Sequence, residues 1–225
     1  MTQPCLFDRA GGAVRVKICG LTVADEAFRT IELGADAIGV NFWPKSKRYI
    51  APAAAAPWLR ELAGVAPRIG VFVNEPIEAI ARLLDEGIID AAQLHGDESP
   101  ADVGDLLARG FSAYKAVGVK DRAALDAAGD YPGDVLLLDA YAPSTYGGTG
   151  ETLDWALGRE AVERWPGRRI VLAGGLTPEN VAEAARQANP AAVDVASGVE
   201  SGTPGRKDMA KVAAFLAAAR PDSEA

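Results

Sequence analysis

Val14-Arg15-Val16-Lys17-Ile18-Cys19-Gly20 alternates apolar and polar side chains and runs into Gly20-Leu21-Thr22. Alternation of this kind reads as a strand, with Arg15, Lys17 and Cys19 on one face and Val14, Val16 and Ile18 on the other. An amphipathic helical pattern follows near 23–33. The unit then recurs: a short apolar strand, a turn rich in Gly, Asp or Pro, and an amphipathic helix. Strands are predicted near 14–19, 36–42, 68–73, 90–95, 113–117, 134–139, 169–173 and 192–196. Helices are predicted near 23–33, 52–63, 76–86, 99–109, 121–128, 154–164, 178–188 and 208–219. Gly34, Gly64, Gly87 and Gly110 stand where helices end. Pro52, Pro76, Pro100 and Pro178 stand where helices begin, and Ser99 and Thr177 are candidate N-caps.

Eight such units in an α/β chain predict a closed, single-domain (β/α)8 TIM barrel. The alternative is an open doubly wound sheet, which uses fewer strands and a Gly-rich first loop that Gly20-Leu21-Thr22 does not supply. No linker or shift of composition divides the chain. Residues 1–13 read as a loose N-terminal extension, 14–219 as the catalytic barrel and 220–225 as a polar C-terminal tail.

Bulk composition narrows the partners. The 225 residues carry 23 basic and 31 acidic side chains, a net charge of −8. That surface argues against nucleic acid and anionic membranes but leaves room for a small anionic ligand held locally. Two cysteines, Cys5 and Cys19, make no disulfide framework, which fits a reducing, cytoplasmic compartment. A single histidine, His95, is too few for most zinc sites. The start has no secretory pattern, and no apolar run approaches the roughly 20 residues of a membrane span.

Chemistry in a TIM barrel sits at the C-terminal ends of the strands. Those ends carry Cys19, Gln93-Leu94-His95-Gly96, Leu138-Asp139, Ala173-Gly174-Gly175 and Asp194-Val195-Ala196-Ser197-Gly198. On its own stretch Cys19 reads better as a small buried core residue than as a reactive thiol, although nearby Lys17 favours a thiolate. Gly174, Gly175, Ser197 and Gly198 together form a candidate phosphate cradle, since glycine lets backbone amides approach an anion. Asp139, half desolvated by the Val and Leu run before it, suits a general acid but equally an N-cap or ion-pair partner. Phe42 to Tyr49 is a basic, aromatic loop in which Arg48 is the residue suited to pair bidentately with a carboxylate. Tyr146-Gly147-Gly148-Thr149-Gly150 reads as either a lid or a flexible connection. His95 shares a face with Gln93 and points into the mouth, where a structural role is the simpler account.

Taken in order, these strings resemble the phosphoribosylanthranilate isomerase family. The matching segments are Val16 to Thr22, Pro44-Lys45-Ser46 with Arg48-Tyr49, Gly70 to Asn74, Gln93 to Gly96, Leu138-Asp139, Tyr146 to Gly150, Gly174 to Leu176, Val193 to Val195 with Ser197 to Glu200, and Pro204-Gly205 with Lys207-Asp208. The resemblance implies an Amadori rearrangement in tryptophan biosynthesis, on a small-molecule substrate and without cofactor or metal, by a monomer or homodimer. It assigns Cys19 as general base, Asp139 as general acid, Arg48 to the anthranilate carboxylate and the two Gly loops to the phosphate. It places His95 and Asp194 near the substrate. The departures are small: Cys5 lies outside the match, Glu151 stands where lysine is common, and Asn41 and Trp43 replace apolar and tyrosyl residues. A sugar-phosphate isomerase of the histidine pathway would carry an aspartate base where Cys19 stands. A non-catalytic ligand sensor would not need both Cys19 and Asp139, and a redox protein would need a resolving cysteine near Cys19.

Overall fold

Eight strands close into a parallel barrel in chain order, β1 to β8, with β8 pairing back onto β1. A computed structural model describes residues 6–9, 12–140 and 153–220. The strands are β1 Arg15–Ile18, β2 Ala37–Asn41, β3 Arg68–Phe72, β4 Ala91–Leu94, β5 Ser112–Val119, β6 Val135–Ala140, β7 Arg169–Leu172 and β8 Ala192–Val195. The helices are α1 Ala24–Glu32, α2 Pro52–Glu61, α3 Ile77–Asp85, α4 Pro100–Ala108, α5 Arg122–Ala128, α6 Trp155–Arg164, α7 Val181–Ala188 and α8 Met209–Ala219. The architecture is the expected TIM barrel. The Gly-rich stretch 146–150, Glu151 and Cys5 lie outside the described residues.

Local signals account for most boundaries. Gly34, Gly64, Gly87 and Gly110 all take positive φ just past their helices, the conformation that ends a helix cheaply only for glycine. Ser99 caps α4 in a reciprocal box with Asp102. The start of α7 differs from expectation. Thr177 does not cap it directly. Instead Asn180 Oδ1 accepts the Thr177 N–H at 2.8 Å, a turn forms through Pro178, and the helix begins at Val181. Side-chain bonding of this kind offers the backbone a tight turn in place of a first helical turn.

The strand alternation decides what lies inside. Ala37, Ile69, Ala91, Tyr114, Ala116, Leu137, Val171, Ala173 and Ala192 pack into one cluster. Side chains from seven strands can meet only in the barrel interior. The apolar face of β1, Val16 and Ile18, instead faces outward into the cluster between barrel and helices, where β1 meets α8. Lys17 therefore points inward, where it is fully buried.

The N-terminal extension is docked over its described part, contrary to the expectation of a loose segment. Phe7 joins the interior cluster and meets the Tyr114 ring edge-on at 6.3 Å between centroids. Its φ of 64° turns the chain so that the ring enters the barrel from the N-terminal ends of the strands. Asp8 pairs with Arg169 at 2.6 Å and Arg9 bonds Asn189 at 2.8 Å, fastening the stopper to β7 and to the end of α7. Arg220, at the start of the expected tail, is likewise fastened. It donates to the Val14 and Gly34 carbonyls and pairs with Asp36.

Candidate active site

The opposite end of the barrel gathers the residues singled out from the sequence. Cys19 follows β1 directly, and its N–H donates to Val195 O at 2.8 Å, which fixes its place beside β8. Its sulfur occupies space that Gly39 leaves open: a Cβ at position 39 would lie 2.7 Å from Sγ. Burial pushes the Cys19 thiol up from its ordinary value, and Asp194 adds to this. The charges of Lys17 and Lys207 pull the other way without prevailing. Lys17 does favour the thiolate, as its nearness in sequence suggested, but desolvation is the larger effect.

Lys17 crosses the interior below the sulfur. Its ammonium bonds Asp194 Oδ2 and Gln93 Oε1, each at 2.9 Å. Lys17 and Asp194 are register partners on β1 and β8, while Gln93 pairs with Tyr114 on β4 and β5. One side chain thus ties two sides of the barrel together. A buried ammonium is tolerated only when its charge and its N–H groups are matched. Burial works against the charge, but Asp194 holds the ammonium well above its usual range. Asp194, expected near the substrate, is spent in part on this pair. Its other oxygen, Oδ1, is buried and has no hydrogen-bond partner among the described residues.

Asp139 lies in β6 and is 6% exposed. Its Oδ1 accepts the Ala140 N–H at 2.8 Å, and its Oδ2 lies 3.3 Å from His95 Nε2. Gly174 packs tightly against it. With φ at +87°, a Cβ there would stand 2.5 Å from Ala140 N and 2.9 Å from Asp139 Oδ1. Gly174 therefore seats the carboxylate as well as shaping the loop after β7. That loop meets the loop after β8: Gly198, in a single helical turn over Ser197–Val199, abuts the Leu176 carbonyl too closely for any Cβ. Gly174, Gly175, Ser197 and Gly198 are thus brought together as the sequence suggested.

Arg48 reaches the mouth from the loop after β2, across Gly20, where any Cβ would collide with its side chain. Its fork is engaged side-on by Glu200, with Nε to Oε1 at 2.6 Å and Nη2 to Oε2 at 2.9 Å. Glu200 also accepts the Gly205 N–H at 2.8 Å and Lys207 Nζ at 3.4 Å. Burial pushes the Glu200 carboxyl up, but Arg48, Gly205 and Lys207 together hold it below the usual carboxylate range. Glu200, Lys207 and Gln93 were quoted in the sequence without a role. Their partners stand 152, 7 and 76 positions away, so only the fold reveals the first and last pairings.

This geometry has relatives. Residues 16–218 match the family model of N-(5′-phosphoribosyl)anthranilate isomerase. The chain belongs to the N-(5′-phosphoribosyl)anthranilate isomerase family. It is 47% identical over 206 residues to the member from Geobacter sp. strain M21, covering 92% of this chain and 98% of that one. The crystal structure of phosphoribosyl anthranilate isomerase from Thermotoga maritima matches with a TM-score of 0.81 at 40% identity, covering 92% of this chain and 98% of that one. A phosphoribosyl anthranilate isomerase in complex with reduced 1-(o-carboxyphenylamino)-1-deoxyribulose 5-phosphate matches with a TM-score of 0.79 at 39% identity, over 92% and 98% of the two chains. The chain is accordingly an isomerase of tryptophan biosynthesis. Among the described residues, no helix is long and apolar enough to cross a membrane.

Proposed function

We propose that the chain isomerises N-(5′-phosphoribosyl)anthranilate to 1-(2-carboxyphenylamino)-1-deoxyribulose 5-phosphate with Asp139 as acid and Cys19 as base. The supporting observation is the placement of one buried carboxyl and one buried thiol at the same mouth, both seated by glycines that leave no room for a side chain. Asp139 gives its proton to the ribose ring oxygen. The C1′–oxygen bond breaks with its electron pair on oxygen, and the nitrogen lone pair forms the iminium. Cys19 as thiolate then takes the proton from C2′. The C–H pair becomes a C1′–C2′ double bond and the iminium pair returns to nitrogen. The iminium cation adds positive charge beside the sulfur, which favours the thiolate at the step that needs it.

Arg48 receives the anthranilate carboxylate. Glu200 takes the side-on face through Nε and Nη2, so the end-on face, Nη1 with Nη2, is the one left for substrate. The backbone amides of Gly174, Gly175, Ser197 and Gly198 receive the phosphate, the arrangement usual for loops after the last two strands of this fold. His95 and Asp194 face the substrate between them. Residues 14–219 form the catalytic unit, flanked by the 1–13 extension and the 220–225 tail, and the chain acts in the cytoplasm as a monomer or homodimer without cofactor. The test is consumption of phosphoribosylanthranilate by the purified protein, followed by its fluorescence. Turnover that is lost in Cys19→Ala and in Asp139→Asn supports the assignment, and turnover that survives either change refutes it.

A further inference from the structure

Gln93 is almost fully buried, and its amide can be oriented from its neighbours alone. The Lys17 ammonium has only donors. The atom it meets at 2.9 Å is therefore the amide oxygen, which also accepts the Tyr114 hydroxyl at 3.0 Å. The NH₂ group is then turned toward His95, with Nε2 of Gln93 3.2 Å from the ring Nδ1. An amide N–H can only donate, so Nδ1 accepts through its lone pair. A neutral imidazole in that position carries its proton on Nε2. That nitrogen lies 3.3 Å from Asp139 Oδ2.

We propose that Gln93 is a positioning residue for the acid: it fixes the tautomer of His95, so that the ring presents an N–H and not a lone pair to Asp139. The inference rests on the reading of Asp139 as the acid. A bare ring nitrogen at 3.3 Å would compete with the ribose ring oxygen for the Asp139 proton. A protonated nitrogen cannot take it. After the proton has moved to the ring oxygen and the C1′–oxygen bond has broken, the same N–H faces the new carboxylate and steadies it. The chain Lys17–Gln93–His95–Asp139 thereby runs from the floor beneath the base to the acid. Its first member orients the Gln93 amide, and that amide sets the tautomer of His95.

His95 is the only histidine in the chain, so selective ¹⁵N-histidine labelling reports a single ring. In the wild-type enzyme at mildly alkaline pH, Nε2 should show a directly bound proton and Nδ1 should not. Gln93→Glu replaces the donor by an acceptor and should place a proton on Nδ1. It should lower kcat by roughly 10- to 100-fold, less than the roughly 10²- to 10⁴-fold expected for loss of the acid itself, while binding the reduced product analogue within a few-fold of wild type. A wild-type ring protonated on Nδ1 alone overturns the proposal, whether or not any variant folds. So does a Gln93→Glu enzyme that has the changed ring yet keeps full kcat. Asp139→Asn serves as the control. Should it keep full activity, the acid assignment itself falls. Should it lose activity while the ring is protonated on Nδ1, only the role of Gln93 falls.

Discussion

The two ends of this barrel are built from the same eight strands and treat polar groups in opposite ways. At the N-terminal end, charges pair at the rim, as in Arg169 with Asp8 and Arg15 with Asp36, and the interior is closed by the Phe7 ring. At the C-terminal end, Asp139, Asp194, Glu200, Lys207 and Cys19 are all carried into burial. The first arrangement keeps most of its paired charge partly exposed, Arg68 beside Asp90 being buried, and buries carbon at its centre, which stabilises. The second desolvates charge, which costs stability unless every partner is in place. The contrast separates an end that holds the fold from an end that performs chemistry.

Substitutions at the two ends should therefore fail differently. The largest expected effect lies at the mouth. Cys19→Ala and Asp139→Asn should each lower kcat by about 10² to 10⁴-fold, with the melting temperature and analogue binding nearly kept. A variant that loses kcat only in proportion to lost folded protein would erase the contrast. Phe7→Ala should do the reverse. Removing a buried aromatic ring costs about 3–5 kcal/mol in a well-packed core, and a fall in denaturation midpoint with kcat unchanged at low temperature is expected. Loss of kcat in folded Phe7→Ala enzyme would show that the ends are coupled.

A smaller effect is expected at Arg48. Arg48→Met removes a charge-assisted bond worth about 1.5–3 kcal/mol, so KM should rise by roughly 10- to 100-fold. A substrate lacking the carboxylate should be turned over equally by wild type and variant. A wild-type advantage on that substrate would remove Arg48 from carboxylate binding.

The smallest effect concerns the pH dependence of alkylation at Cys19. Iodoacetamide reacts with the thiolate, so inactivation should rise with pH toward a midpoint above the ordinary thiol value of 9.0, as burial requires. Lys17→Met should move the midpoint up, because a cation that favours the thiolate is lost. Asp194→Asn should move it down, because an anion that opposes it is lost. Shifts in opposite directions are expected. Shifts in the same direction would mean that both residues act only through packing. Mass spectrometry should place the modification on Cys19, with product analogue protecting it, and Cys5→Ser should change neither rate.

Much of this was legible in the sequence, for a physical reason. Strand alternation and helix punctuation are local codes, so β1 to β8 fall within about two residues of expectation. The candidate site was legible because strand ends converge in this fold, and because its short strings carry the family resemblance. What escaped depends on partners far apart in the chain. Nothing near Arg48 announces Glu200, and nothing near Phe7 announces Tyr114. Both influences on the Cys19 thiol, burial and the charge of Lys17, were legible, but which of them prevails was not. The Thr177 hydroxyl does accept the Glu179 N–H at 3.3 Å, as a cap would, but the turn it opens runs to Asn180 before α7 begins, a boundary that local signals do not settle.

Gly39 and Gly174 have a consequence for how this chain can vary. Each lies against a reacting group, and in each case the missing atom is a single methyl carbon. A change from glycine to alanine needs only one nucleotide. The gene therefore sits one base away, at two separate codons, from a product whose sulfur or carboxyl is displaced. Selection at the Gly39 codon would act chiefly on the place of the sulfur; at the Gly174 codon, where the new atom would also meet the Ala140 backbone nitrogen at 2.5 Å, it would act on the carboxyl and on the seating of β6 together.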